Sequence, residues 1–216
     1  MVRVWDEAAT LGTDLLNRAD PSPINRVSTL TELGLIRGRR SEPGKWDYLH
    51  RAMTDADDSG EPQRIVPARL ARAEVYWPEG KPGEAAREAE LADDGCARCD
   101  AWDRGAVAVW LRRLGSARGS QADITEPRRL QIDGDCAGAA ERWTELGCPY
   151  EAAMALLDAT DEQSLREALT IFTGLGASAP ARVTRQKMRR LGIASIPVGP
   201  HTATRAHPLG AHQARD

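Results

Sequence analysis

Aromatic residues are scarce in this chain: its 216 residues include one Phe, three Tyr and six Trp. β-Branched residues are thin as well, so the Val, Ile, Thr and aromatic material of which sheets are built is missing. No run of about 18 apolar residues occurs, which rules out a hydropathic membrane-spanning helix. The stretch Met1-Val-Arg-Val-Trp-Asp-Glu7 carries acids where a secretory signal needs an unbroken apolar core. The chain is therefore expected to be cytoplasmic and to make no membrane contact. Its four cysteines, Cys96, Cys99, Cys136 and Cys148, are expected to stay reduced. Nor is there a surplus of basic charge: the formal net charge is −3, so the overall field gives no reason to expect nucleic acid.

Catalytic signatures are missing too. The phosphate cradle Gly-x-x-x-x-Gly-Lys-Ser/Thr is nowhere present, and neither are Gly-x-Ser-x-Gly or His-Glu-x-x-His. No nucleophile has a recognisable base. The sequence is expected to be non-enzymatic, with no catalytic, cofactor-binding or metal-ligating residue assigned.

What the chain has is alanine and leucine at helical spacing. Periodicity predicts helices over about 4–18, 24–38, 45–56, 63–77, 83–93 and 100–114. It resumes over 126–132, 136–146, 149–157, 161–175 and 179–191 after a polar loop at 115–125. In the first helix Ala8, Leu11, Leu15 and Leu16 form the expected apolar face; in the second, Val27, Leu30, Leu33, Leu35 and Ile36 do so. Pro67 is expected to kink the fourth helix or delay its start. Thr160 and Gln163 read as a capping box for the helix carrying Leu165, Leu169, Phe172 and Leu175. Gly176 and Gly192 stand where glycine ends a helix.

Short helices in series invite a search for repeats. The segment Ala73, Tyr76, Gly80, Ala85, Ala89, Ala92 fits the tetratricopeptide spacing, in which small residues let two helices approach, an aromatic fills the groove and glycine makes the turn. Degraded versions follow Gly34 (Gly44, Trp46, Met53), Leu130 (Gly134, Ala139, Trp143) and Leu146 (Gly147, Tyr150). The expected fold is all-α, a tetratricopeptide-like helical repeat over residues 1–192, with a disordered, flexible tail over 193–216.

One stretch is more specific. Trp143-Thr-Glu-Leu-Gly-Cys-Pro-Tyr-Glu151, ending in Ala155-Leu-Leu-Asp158, is followed by Leu165-Arg-Glu-Ala-Leu-Thr-Ile-Phe-Thr-Gly-Leu-Gly-Ala177. Arg189-Arg-Leu-Gly-Ile193, Ile196-Pro-Val-Gly-Pro200 and Thr204-Arg-Ala-His-Pro-Leu-Gly210 complete it. Together these resemble the end of the helical-repeat region of ATP-binding LuxR-type transcriptional regulators, with a weaker likeness before Leu130. The resemblance implies a module that senses a signal or partner on behalf of an ATPase and a helix-turn-helix. Here the P-loop is missing, and Ala211-His-Gln-Ala-Arg-Asp216 stands where the family begins its DNA-binding domain. The chain is thus expected to be a truncated or freestanding module, binding a protein, a peptide or a small effector.

Other candidate sites are local. Cys96-Ala-Arg-Cys99 supplies half a zinc or redox site, but Cys136 and Cys148 are a helix apart and form no second close pair. Cys136 and Cys148 lie near helix starts, a position that lowers thiol pKa, although small buried residues are the expected reading for both. Asp55-Ala-Asp-Asp-Ser-Gly60 opens like a calcium loop, yet Val66 holds the place of the bidentate Glu, so an acidic turn is expected. His50 stands alone; His201, His207 and His212 lie in the tail. The basic helix with Arg182, Arg185, Lys187, Arg189 and Arg190 is expected to be a solvated face. A DNA-associated regulator acting through that helix stays open as an alternative, as does a small cysteine-dependent metal or redox protein. The tryptophans are expected to fill gaps between alanine-rich helices, with Trp77 and Trp102 placed to line a groove.

Overall fold

Small side chains set how closely the helices approach. Ala73, Ala85, Ala89 and Ala92 are completely buried, and they seat α4 (Pro62–Tyr76) against α5 (Pro82–Gly95). Gly80 makes the turn between them at φ 77°, a left-handed conformation that favours glycine. In α2 (Pro23–Arg39) a Cβ on Gly38 would collide with Val75 of α4, so glycine there is a condition of the packing. The computed structural model describes residues 2–18, 22–116, 118–119 and 123–197.

Among those residues the chain forms eleven α-helices and no strand. α1 (Val2–Leu16) leads into α2, which pairs with α3 (Lys45–Ser59); α4 pairs with α5. α6 (Ala101–Arg113) and the short α7 (Arg128–Asp133) follow, then α8 (Cys136–Glu145), α9 (Pro149–Asp158), α10 (Glu162–Leu175) and α11 (Ser178–Arg190). Helices adjacent in sequence pack on each other, while α2, α4 and α6 also stack as alternate members. None of the described helices is long and apolar enough to cross a membrane.

The predicted stripes of α2 and α10 are buried throughout: Val27, Leu30, Leu33, Leu35 and Ile36 in one, Leu165, Leu169, Phe172 and Leu175 in the other. One continuous core runs from Val66 to Met188, crossed by Trp110, Trp143 and Phe172. Trp110 and Trp143 are buried as expected; Trp5, Trp46 and Trp77 are half-buried, and Trp102 is exposed.

Several expectations need correction. The inward face of α1 is rotated: Ala8 and Leu11 are exposed, Leu15 and Leu16 are half-buried as expected, and Trp5, Ala9 and Gly12 join them. The cause is Trp5, whose ring meets Tyr150 at 5.8 Å, together with Gly12, which lets Leu33 and Thr29 of α2 come close. α4 starts at Pro62 without delay and runs on through Pro67. The cap of α10 is Asp161, not Thr160: its Oδ1 accepts the Ser164 N–H at 2.8 Å. Asp55 to Ser59 form the last turns of α3 rather than a loop, with Asp55 ion-paired to Arg26 at 2.9 Å. The expected tail is tied down over its first residues: Arg166 donates to the carbonyls of Ala194 and Ser195, and Ile193 packs on the core. Residues 198–216, including His201, His207 and His212, lie outside the described residues.

Candidate functional site

Charged side chains gather where helix ends meet. Arg39 closes α2, Glu74 lies in the last turn of α4, and Tyr150 opens α9. Arg39 holds the Glu74 carboxylate with two bonds of 2.6 and 3.2 Å, a fork geometry that adds both energy and orientation. The Tyr150 hydroxyl donates to the same carboxylate at 2.7 Å, and the Arg39 guanidinium lies 3.7 Å over the Tyr150 ring. Glu151 stands 4.0 Å from Arg39.

A second pair lies deeper. Arg113, the last residue of α6, bonds Asp158, the last residue of α9, at 2.8 and 2.7 Å. Its side chain is 5% exposed, and its guanidinium lies 4.6 Å from the Trp110 ring centre and 5.7 Å from that of Trp77. Lys187 of α11 donates to the carbonyls of Leu157 and Asp158 at 2.8 and 3.0 Å, closing the C-terminal end of α9 where cations are favoured. Arg112 does the same for α7 through the Ile132 carbonyl.

The environment moves these groups in opposite directions. Burial pushes the Glu74 carboxyl up, but Arg39 and the Tyr150 hydroxyl outweigh it, and the net pKa is below the ordinary carboxylate range. Burial and the Glu74 charge hold the Tyr150 phenol far above its usual value. Burial opposes the charge on Arg39 and Arg113, yet their carboxylate partners raise both. Burial lowers Lys187, with Asp158 acting against it. Glu74 therefore keeps its charge with both oxygens engaged, and Tyr150 keeps its proton: the cluster is a strut, poorly placed to pass protons.

Two adjoining cavities open beside it. The larger, about 740 Å³, lies among α6, α8, α9, α10 and α11, with Trp77, Arg113, Cys136, Asp158, Lys187 and Arg190 on its wall. The smaller, about 180 Å³, lies among α2, α4, α6, α7 and α9, walled in part by Leu35, Glu74, Trp102, Arg113, Arg128 and Gln131. Val109, Arg113 and Gln131 border both, so the two cavities adjoin across α6. In the larger one most charges are committed: Asp135 accepts from Gly138 N–H and Asp161 from Ser164 N–H, Arg113 and Lys187 hold α9, and Arg190 is exposed. In the smaller one Arg128 Nε is buried without a hydrogen-bond partner.

The groups singled out in the sequence are scattered by the fold. Trp77 and Trp102 do line cavities, but different ones. Cys96 and Cys99 are buried, whereas Cys136 and Cys148, expected to be buried, are half-buried. Burial raises the thiol pKa of Cys96 and Cys99, and in Cys96 its hydrogen bond with Cys99 adds to the shift. Cys136 is also raised, by burial and then Asp158, so the expected helix-start depression does not win there. Among the described residues no three His, Cys, Asp or Glu converge on one metal-sized point. His50 stacks on Trp46 at 5.6 Å.

The basic helix is divided among tasks. Arg182 donates to the Pro78 carbonyl, Arg185 to that of Pro197 and Lys187 to α9, leaving Arg189 and Arg190 exposed. The residues that sequence reasoning missed are Arg39, Glu74, Arg113, Arg128 and Gln131. A weak signal existed: Glu74 stands between the small apolar residues Ala73 and Val75, and Gln131 between Leu130 and Ile132. No protein-family model, no curated protein and no solved structure matches this chain.

Proposed function

We propose that this chain is a non-enzymatic, tetratricopeptide-like helical-repeat module of the cytoplasm. It resembles the signal-sensing region of an ATP-binding LuxR-type regulator and takes a protein segment, peptide or small effector between its helices. The observation that carries the reading is the pair of adjoining cavities bordered by Arg113 and Gln131. The hairpin of α4 and α5, with its wholly buried alanines and its turn at Gly80, supports the repeat assignment. Ligand sites favour such places between helices, mostly apolar with a few fixed polar groups.

Anisotropy measurements against an array of short peptides test it. Saturable binding by the folded protein is expected, weakened by Ala106→Trp, which fills the smaller cavity from α6. No binding to any peptide at about 0.1 mM overturns the peptide-binding form of the proposal. Duplex DNA bound with a steep salt dependence, and lost in the Arg189→Glu, Arg190→Glu double variant, would replace it with the DNA-associated reading. Stoichiometric zinc in the purified protein would restore the cysteine reading instead.

A further inference from the structure

Gly105 stands in the middle of α6, where glycine costs a helix roughly 0.5–1 kcal/mol relative to alanine. What crosses it explains the choice. A Cβ at Gly105 would lie 2.9 Å from Cδ and 3.1 Å from Cβ of Arg128, so the arginine stem rests directly on the α6 backbone. Beyond the stem, the guanidinium sits 5.1 Å from the Trp143 ring centre and 5.6 Å from that of Trp102. Those rings attract a cation without supplying the acceptors its N–H groups need. Arg128 Nε is buried and has no hydrogen-bond partner. Arg39 and Arg113, on the same cavity, each hold a carboxylate with two bonds; Arg128 has no ion-pair partner among the described residues. Burial accordingly lowers its pKa.

Gln131 is one turn further along α7 and is 5% exposed. Its Oε1 accepts the Trp143 indole N–H at 3.1 Å, which fixes the amide so that its NH2 group is the side left over. That group has no acceptor among the described residues. Arg128 and Gln131 both face the 180 Å³ cavity, whose wall combines apolar surface from Leu35, Leu70, Trp110 and Met154 with charged groups that include Glu74, Asp103 and Glu151. Two sets of donors thus face the cavity with no hydrogen bond made, while the carboxylates of Asp103 and Glu151 share its wall and act on Arg128 only through space. A cavity of about 150 Å³ is large enough for benzene.

We propose that this cavity binds a small organic carboxylate with a compact apolar body, its carboxylate on Arg128 and Gln131. The inference rests on the reading of the chain as a sensing module and names the chemistry of its small effector. Asp103 and Glu151 share the wall, so a singly charged carboxylate meets less repulsion there than a phosphate dianion. Trp102, 43% exposed, reaches from the cavity wall to solvent and reports entry.

Calorimetry and tryptophan fluorescence with sodium benzoate, on the full chain, test the assignment. Benzoate is expected to bind one per chain. Benzamide, its uncharged counterpart, and benzoate with Arg128→Met are each expected to bind at least about tenfold more weakly, because the charge-assisted bond is lost. Absence of benzoate binding at about 10 mM overturns the proposal, as does equal binding of benzoate and benzamide, the result expected if the cavity takes the apolar ring without recognising its charge. Should Arg128→Met fail to fold, the benzamide comparison and Gln131→Met carry the same decision. Peptide binding without benzoate binding removes this site and leaves the module reading standing; failure of both probes removes the two together.

Discussion

Glu74 gathers more of the interior polar bonding than any neighbour around it, taking two bonds from Arg39 and one from Tyr150. Glu74→Gln keeps the shape and an acceptor for Tyr150, but leaves the Arg39 guanidinium, 14% exposed, with only Glu151 at 4.0 Å as a charge partner. Breaking such a pair on one side costs about 3–5 kcal/mol, whereas Arg39→Met with Glu74→Leu should cost clearly less than the sum of the single changes. Urea titration of the four proteins in the cycle measures this. The pH dependence has a definite sign. Because the folded pKa of Glu74 lies below the ordinary value of 4.5, its contribution is complete above that range and is lost as pH falls through the folded value. Stability that stayed flat from pH 6 to pH 3, relative to Glu74→Gln, would contradict the assignment. Cysteines give a second test at this scale. Maleimide is expected to label half-buried Cys136 and Cys148 in the native protein, and buried Cys96 and Cys99 only after unfolding, as read by peptide mass. Little of this was legible in the chain. Arg39, Glu74 and Tyr150 are separated by 35 and 76 positions, and charges on helices are ordinarily read as solvated. Burial of an ion pair leaves no periodic trace, because it depends on which helix ends meet.

At the scale of the element, apolar spacing located the helices well and their ends less well. Thr160 and Asp161 are both good caps, and Thr160 with Gln163 matched the capping-box pattern; the backbone nevertheless starts α10 one residue later, where Asp161 takes the Ser164 N–H. Asp161→Ala should therefore destabilise by about 1 kcal/mol and Thr160→Ala by a few tenths at most, a contrast that thermal melts resolve. Backbone donation by Ser164 holds the Asp161 carboxyl below its usual pKa, so the cap is complete above the carboxylate range and weakens as pH falls through it. α1 shows a different failure of legibility. Leu11 is 64% exposed, although spacing alone placed it with Ala8 on the inner face. Two stripes were available in that helix, and the choice fell to Trp5, which reaches Tyr150 across the fold. A hydrophobic pattern says that a helix has a face; which of two faces is used depends on a partner far away in sequence.

Across the described residues, early and late helices meet. An open repeat array has contacts only between neighbours, so its ends unfold independently of each other. Here α11 returns to the start: Ser178 Oγ donates to the Arg40 carbonyl at 2.6 Å, and Arg182 reaches the Pro78 carbonyl at 2.9 Å. Ala179 and Pro180 stand beside Gly38 and Val75, and Trp5 of α1 rests on Tyr150 of α9. This closure was not readable in the sequence, because small residues such as Ala179 carry no mark of which distant helix they touch. It has a consequence for unfolding. With early and late helices locked together, loss of either should release both, and the chain should melt in one step. Circular dichroism and tryptophan fluorescence, which samples positions from Trp5 to Trp143, should give superimposable denaturation curves. Ala179→Glu sharpens the test by driving a charge into a site 2% exposed. Hydrogen exchange is expected to rise in α2 and α4 as well as in α10 and α11. A rise confined to α10 and α11, with α2 and α4 unchanged, would mean that the array is energetically open and that the contacts around Arg40 and Pro78 contribute little to holding it shut.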